Sequence, residues 1–223
     1  MKTAERILLT ALTLFNDHGE NNVTSVDIAM ELDISPGNLY YHFKGKEVIV
    51  DALVELHRQQ VMPLLATKLQ QQVGAEDLFY YLYMLVEKFQ LFRFLYRCPA
   101  DLAEKYPTIK KRQRQLVGAL QMQLTGILTW LIKNAELAVE DSRLSLLVDS
   151  LCLILTQSYT LDQLQSREDE DAQRYHTLSM IITCLQPRLT LSPESQTQIQ
   201  RAVDSHSLAQ FSAQMQQRLE EGN

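Results

Sequence analysis

Glycine and proline are scarce, seven and six in 223 residues. So few chain breakers argue against a many-turned β fold and favour long helices. Cysteine is scarcer still: Cys98, Cys152 and Cys184 are odd in number and far apart. With no Cys-x-x-Cys or His-x-x-x-His pair, neither a metal site nor a disulfide framework is expected. Three unpaired thiols suit a reducing cytoplasm. No apolar run approaches the roughly 20 residues of a membrane span, and the N-terminus lacks a signal-peptide core, so no membrane role is expected. Positive charge is also short. The chain carries −6 overall, and its first sixty residues hold five Lys/Arg against nine Asp/Glu, or −4. That excludes broad electrostatic coating of a nucleic acid and leaves room only for a few well-placed cations. There is no nucleophile motif and no Gly-rich phosphate loop. His18, His42, His57, His176 and His206 sit in unrelated contexts, so nothing predicts an enzyme or a cofactor.

What is present is helical periodicity. Apolar residues make up 46% of the chain, enough to fold one or two domains. Ile7, Leu8, Ala11, Leu12 and Phe15 give one apolar face to a helix from Thr3 to His18, with Gly19 as its stop. Thr24 and Asp27 resemble a capping box opening a second helix. Ser35 is the expected N-cap of a third, with Pro36 at its first position. A helix is expected from Lys46 towards Gln72, with Pro63 kinking or interrupting it. Further helices are expected over Glu76 to Arg97, Thr108 to Asn134, Ser142 to Gln165 and Ala172 to Gln186. A last one is expected in the Gln-rich stretch from Glu194 to Leu219. No strand and no internal repeat is evident.

The densest segment is Ile34 to Glu47, which packs a serine, two glycines, four ring side chains and two lysines into fourteen residues. Preceded by a short helix and a tight turn, it has the plan of a helix-turn-helix, whose second helix enters the DNA major groove. Leu39 and Phe43, four apart, should point inward. Tyr40 and Tyr41 differ by about 100° around a helix, so at least one must be exposed.

Ser25-Val26-Asp27-Ile28-Ala29, Ile34-Ser35, Gly37-Asn38-Leu39-Tyr40, Phe43 and Lys46-Glu47 together resemble the N-terminal motif of the TetR family of bacterial transcriptional regulators. The resemblance covers about the first quarter of the chain. It implies an all-α homodimer, with a helix-turn-helix DNA-binding domain over residues 1–47 and a helical domain over 48–223 for dimerisation and effector binding. Residue by residue, Ser25, beside Thr24, would meet phosphate. Ser35, Pro36, Gly37 and Asn38 would lie nearest the base edges. Tyr40, Tyr41, His42 and Lys44 would grip the backbone, and Lys46 would reach a phosphate. Asn38 can pair with two atoms of adenine's major-groove edge. A symmetric dimer favours a palindromic operator of double-stranded DNA. Two departures stand out. Asp33 occupies a turn position where the family commonly has glycine, though Asp tolerates left-handed backbone. Pro36 replaces a polar or basic residue, which shifts base reading onto Gly37 and Asn38.

Downstream, the aromatic group containing Phe89, Phe92 and Tyr96, with Trp130 and Tyr159, reads either as core or as the wall of a pocket for a small, largely apolar effector. Lys110, Lys111, Arg112 and Arg114 read as a solvated face or as an attractor of an acidic effector. Leu147, Leu151 and Leu155, with Leu178, Ile182 and Leu185, read as core or as a four-helix dimer interface. The expected function is a cytoplasmic repressor released from its operator by its effector. The alternative is a DNA-binding protein controlled by a protein partner, or by no effector.

Overall fold

The computed structural model describes residues 2–167 and 169–205, with Thr67 through its backbone alone. Eleven α-helices and three short 3₁₀ turns lie among these residues, with one isolated bridge, Leu137 to Leu189, and no strand. Two compact units divide the chain. One takes Met1–Gln60 and Leu91–Gln115; the other takes Val61–Gln90 and Leu116–Asn223.

In the first unit, α1 (Thr3–His18) ends where predicted: Gly19, at φ 83°, donates its N–H to Phe15 O at 2.9 Å. α2 (Ser25–Glu31) opens on the predicted capping box, with Asp27 N donating to Thr24 Oγ1 at 3.2 Å and Thr24 N to Asp27 Oδ2 at 2.7 Å. It closes in a Schellman turn: Asp33 sits at φ 53°, its N–H bonds Met30 O, and Ile34 N bonds Ala29 O, both at 3.0 Å. α3 (Pro36–His42) is capped by Ser35, whose hydroxyl accepts from Asn38 N at 3.1 Å. α4 (Lys46–Val61) stops two residues before Pro63 instead of reaching Gln72, because the residue before a proline is driven out of helical backbone. Ile7, Phe15, Ile28, Leu39, Ile49 and Leu53 form the core.

The expected aromatic helix is broken. α5 (Leu78–Leu91) ends before Phe92, and α6 (Phe94–Arg97), α7 (Pro99–Lys105) and the first residues of α8 (Pro107–Lys133) belong to the first unit. Buried Asn16 clamps the break: its amide donates to Leu91 O at 2.9 Å and its carbonyl accepts from Phe94 N at 3.1 Å. Phe15 meets Phe94 with ring centroids 5.4 Å apart.

The second unit contains most of α5 and the remainder of α8, then α9 (Asp141–Leu164), α10 (Glu170–Leu185) and α11 (Pro193–Asp204). Glu168 and the expected helical stretch beyond Ser205, with His206, lie outside the described residues. α9 packs on α10, with the buried Thr177 hydroxyl donating to Ser158 Oγ at 2.8 Å, and Leu147, Leu151, Leu155, Leu178, Ile182 and Leu185 are buried. Its other face is bare: Leu146 is 61% exposed, Leu153 62% and Leu164 81%. α8 and α9 are long and apolar enough, by length and composition alone, to cross a membrane, although only 39% and 33% of their most apolar windows are buried. This corrects the expectation that no segment reaches that length: polar residues interrupt every apolar run, but the averaged stretch is still apolar.

Candidate nucleic-acid interface

α3 presents its reading residues outward because Leu39 and Phe43, four apart, anchor its opposite side in the core. Ser35, Pro36, Gly37 and Asn38 are exposed, as are Thr24, Tyr40, His42 and Lys44; Ser25 is half-buried. Tyr41 is 82% exposed, so both tyrosines face outward, and its ring meets His42 edge-on at 5.3 Å. The Asn38 carboxamide, the Tyr40 and Tyr41 hydroxyls and the Lys44 ammonium have no hydrogen-bond partner among the described residues.

Gly37 is informative. Its backbone is not left-handed, and a Cβ there would meet only Ser35 Oγ, at 3.9 Å. Nothing inside the chain requires glycine, and glycine in a helix costs roughly 0.5–1 kcal/mol against alanine. The vacancy faces outward.

Lys46 is placed differently from the sequence expectation of a phosphate contact. An ammonium has three donors, and this one points at Glu20 O (2.9 Å), Val23 O (2.8 Å) and Glu20 Oε1 (2.7 Å), with the side chain only 18% exposed. Its donors are satisfied internally, so it positions the start of α4 rather than offering a free hand to DNA. Glu20, in the 3₁₀ turn Glu20–Asn22 after α1, also receives Lys105 Nζ at 2.9 Å and the Tyr106 hydroxyl at 2.6 Å. Burial alone would push its carboxyl up, but bonds from Lys46, Tyr106 and Lys105 outweigh that and hold it below the usual glutamate value. Sequence reasoning passed over Glu20, since two of its partners lie 85 and 86 residues away.

The first unit also resolves the charge shortage. Residues 91–115 carry seven Lys/Arg against two Asp/Glu, which against the −4 of residues 1–60 brings the unit to +1. Within the basic run, Arg112 is engaged by Asp51 at 2.8 Å, while Lys110, Lys111 and Arg114 are exposed.

The other candidate residues fall elsewhere. Phe92 and Tyr96 belong to the first unit and enclose His57, which stacks on Phe92 at 4.8 Å and bonds the Tyr96 hydroxyl at 2.7 Å. Phe89, Tyr159 (both buried) and half-buried Trp130 belong to the second, so the five do not gather within one unit. A cleft of about 440 Å³ in the second unit is lined instead by Arg167, Tyr175, His176, Ser179 and Asp204, with Ala172 and Val203, and is far more polar than expected. Leu147, Leu151, Leu155, Leu178, Ile182 and Leu185 are all buried inside the subunit. That burial accords with the core alternative of the sequence reading. Among the described residues no group of three or more His, Cys, Asp and Glu could hold a metal.

Two family descriptions match the chain: "Bacterial regulatory proteins, tetR family" over residues 7–53, and "Bacterial transcriptional repressor" over residues 56–198. The tetracycline repressor protein class C of Escherichia coli is 41% identical over 51 residues, a match spanning 23% of this chain and 23% of the repressor. A TetR-family transcriptional regulator from Marinobacter aquaeolei VT8 superposes with a TM-score of 0.75 at 25% identity, covering 92% of this chain and 99% of that one. SmeT in its triclosan complex shares the fold at a TM-score of 0.56 and 17% identity, over 81% and 90% of the two chains.

Proposed function

Because the chain belongs to the TetR family of bacterial transcriptional regulators, we propose that it is a cytoplasmic, non-enzymatic repressor. It reads a palindromic operator as a homodimer and releases it when a small effector binds. The observation that carries this is the outward face of α3, where Gly37 leaves open space and the Asn38 side chain is exposed. Backbone at Gly37 can approach a base closely, and Asn38 can bond N6 and N7 of adenine. Tyr40, Tyr41, Lys44 and the Thr24–Ser25 start of α2 supply phosphate contacts, which orient without specifying. Residues 1–47 are the reading head, and 48–223 carry dimerisation and effector control.

The dimer surface in this reading is the bare side of α9. Leu146 and Leu153 are seven apart, and Leu161 and Leu164 continue the stripe, as a helix-packing seam does. The effector rests on likeness to SmeT, whose complex holds triclosan. Phe89 and Tyr159 are closed, so an apolar effector using them as walls must part them. It can then shift the DNA-binding equilibrium only by its difference in affinity for the two states.

The test is fluorescence anisotropy on a duplex selected from a random pool by the full-length protein. Asn38→Ala should relax preference at an A·T position by about 1–3 kcal/mol. Gly37→Ala should weaken binding while leaving the protein as stable or more so. Unchanged affinity and preference in both variants would remove α3 as the reading element.

A further inference from the structure

One buried ionised group has no part in the reading face described above. The Glu20 side chain is 3% exposed, yet it accepts Lys46 Nζ at 2.7 Å, Lys105 Nζ at 2.9 and 3.0 Å, and the Tyr106 hydroxyl at 2.6 Å. Taking a carboxylate out of water costs several kcal/mol before pairing, and apolar residues of similar volume often hold such a position as well or better. A charge kept there is therefore better explained by geometry than by stability.

That geometry is specific. Glu20 lies four residues before Thr24, the cap of α2. The Lys46 ammonium, at the first residue of α4, spans Glu20 O, Val23 O and the Glu20 carboxylate. One cation and one anion thus fix the loop entering α2 against the start of α4, the two elements that flank α3. The same carboxylate oxygen, Oε1, also accepts from Lys105 and Tyr106, at the junction of α7 and α8 and outside the helix-turn-helix, and Lys105 reaches Oε2 as well. Lys105 also reaches Asn21 Oδ1 at 3.3 Å. All these residues belong to the first unit.

We propose that Glu20 is a positioning residue for DNA recognition, through which Lys105 and Tyr106 set the spacing between the starts of α2 and α4. This rests on the DNA-binding reading above and adds a control point to it. When the α7–α8 junction shares the carboxylate with Lys46, Glu20 and Lys46 are locked in the DNA-competent arrangement. When the junction withdraws, the carboxylate follows or loses two of its three side-chain donors, and the loop before α2 moves with it. Operator affinity thereby depends on two residues that make none of the proposed contacts with DNA.

Tyr106→Phe removes one hydroxyl and leaves the ring. With the full-length protein and the duplex that the wild type selects from a random pool, this variant should bind about three- to tenfold more weakly, the range expected when part of a charge-assisted hydrogen bond is transmitted. Its melting temperature should stay within about 2 °C of wild type. The slope of log affinity against log salt should not change, since no cation leaves the DNA interface. In a Glu20→Gln background the same substitution should change affinity less than about twofold, since the shared acceptor is altered. If Glu20→Gln does not fold, Lys105→Met serves as the second background, because both donors converge on Glu20 Oε1. Unchanged affinity in Tyr106→Phe, equal losses in both backgrounds, or a reduced salt slope would each overturn the proposal. If the wild type selects no duplex at all, the DNA-binding reading falls and this proposal with it. Equal binding by all variants removes only the positioning role.

Discussion

Leu153 offers the sharpest quantitative test of the dimer face. It stands near the middle of α9, seven residues from Leu146, and remains 62% exposed. Fully burying an exposed leucine contributes about 1.5–3 kcal/mol. Covering the fraction still open is therefore worth about 1–2 kcal/mol in each subunit. A two-fold interface counts every residue twice, and alanine retains the Cβ. Leu153→Ala should then weaken dimerisation by about 2–3 kcal/mol, or roughly 30- to 140-fold in dissociation constant. Leu153→Glu should give monomers at micromolar concentration, since it buries two unpaired carboxylates across the axis. Sedimentation equilibrium over a dilution series measures both, and far-ultraviolet circular dichroism checks that α9 remains folded. Leu151→Ala is the contrast: that side chain is fully buried within the subunit, so it should lower thermal stability by about 2–5 kcal/mol. If Leu153→Ala and Leu153→Glu both dimerise as the wild type does, the interface lies elsewhere.

Lys46→Met should destabilise the fold by about 1–3 kcal/mol, because Glu20 keeps Lys105 and Tyr106 but loses its nearest cation. It should leave the salt slope of DNA binding intact; a drop of about 0.9 would instead make Lys46 a direct phosphate contact. Ser35→Ala removes the α3 cap and should cost about 0.5–2 kcal/mol in urea unfolding; no loss would mean the cap is dispensable. Burial pushes the His57 imidazole down to about 3 from 6.5. Between those values the unfolded chain binds a proton that the folded chain does not, so stability falls as pH drops below 6.5. The loss is about 1.4 kcal/mol by pH 5.5. His57→Gln should flatten that part of the profile, and identical wild-type and variant profiles would refute the assignment.

Much of the first unit is legible residue by residue, because helix starts and stops are local chemistry. Thr24 with Asp27, Ser35 with Pro36, Gly19 and Pro63 each act within four residues of themselves, and each does what its type suggests. The outward display on α3 follows equally from Leu39 and Phe43 facing in. The limits are equally specific. Lys46 looked like a phosphate donor because its acceptors, Glu20 O, Val23 O and Glu20 Oε1, converge only when the chain folds back over more than twenty residues. α9 is apolar on nearly every side, so composition could not tell the face that meets α10 from the face left bare. The expected helix from Glu76 to Arg97 concealed a break that separates Phe89 from Phe92 and Tyr96.

The sequence by itself determined the helical class, the helix-turn-helix, its caps and turn, and the family to which these belong. All of that rests on hydrogen bonds and hydrophobic spacing within one or two turns of chain. Only the tertiary structure decided that residues 91–115 complete the first unit and offset the acidity of residues 1–60. It also decided that Lys46 faces inward, that Glu20 gathers Lys46, Lys105 and Tyr106, and which leucines of α9 stay outside. Those facts depend on pairing between distant segments. A buried charge or an apolar stripe takes its meaning from the partner that covers it, and local spacing carries no record of that partner.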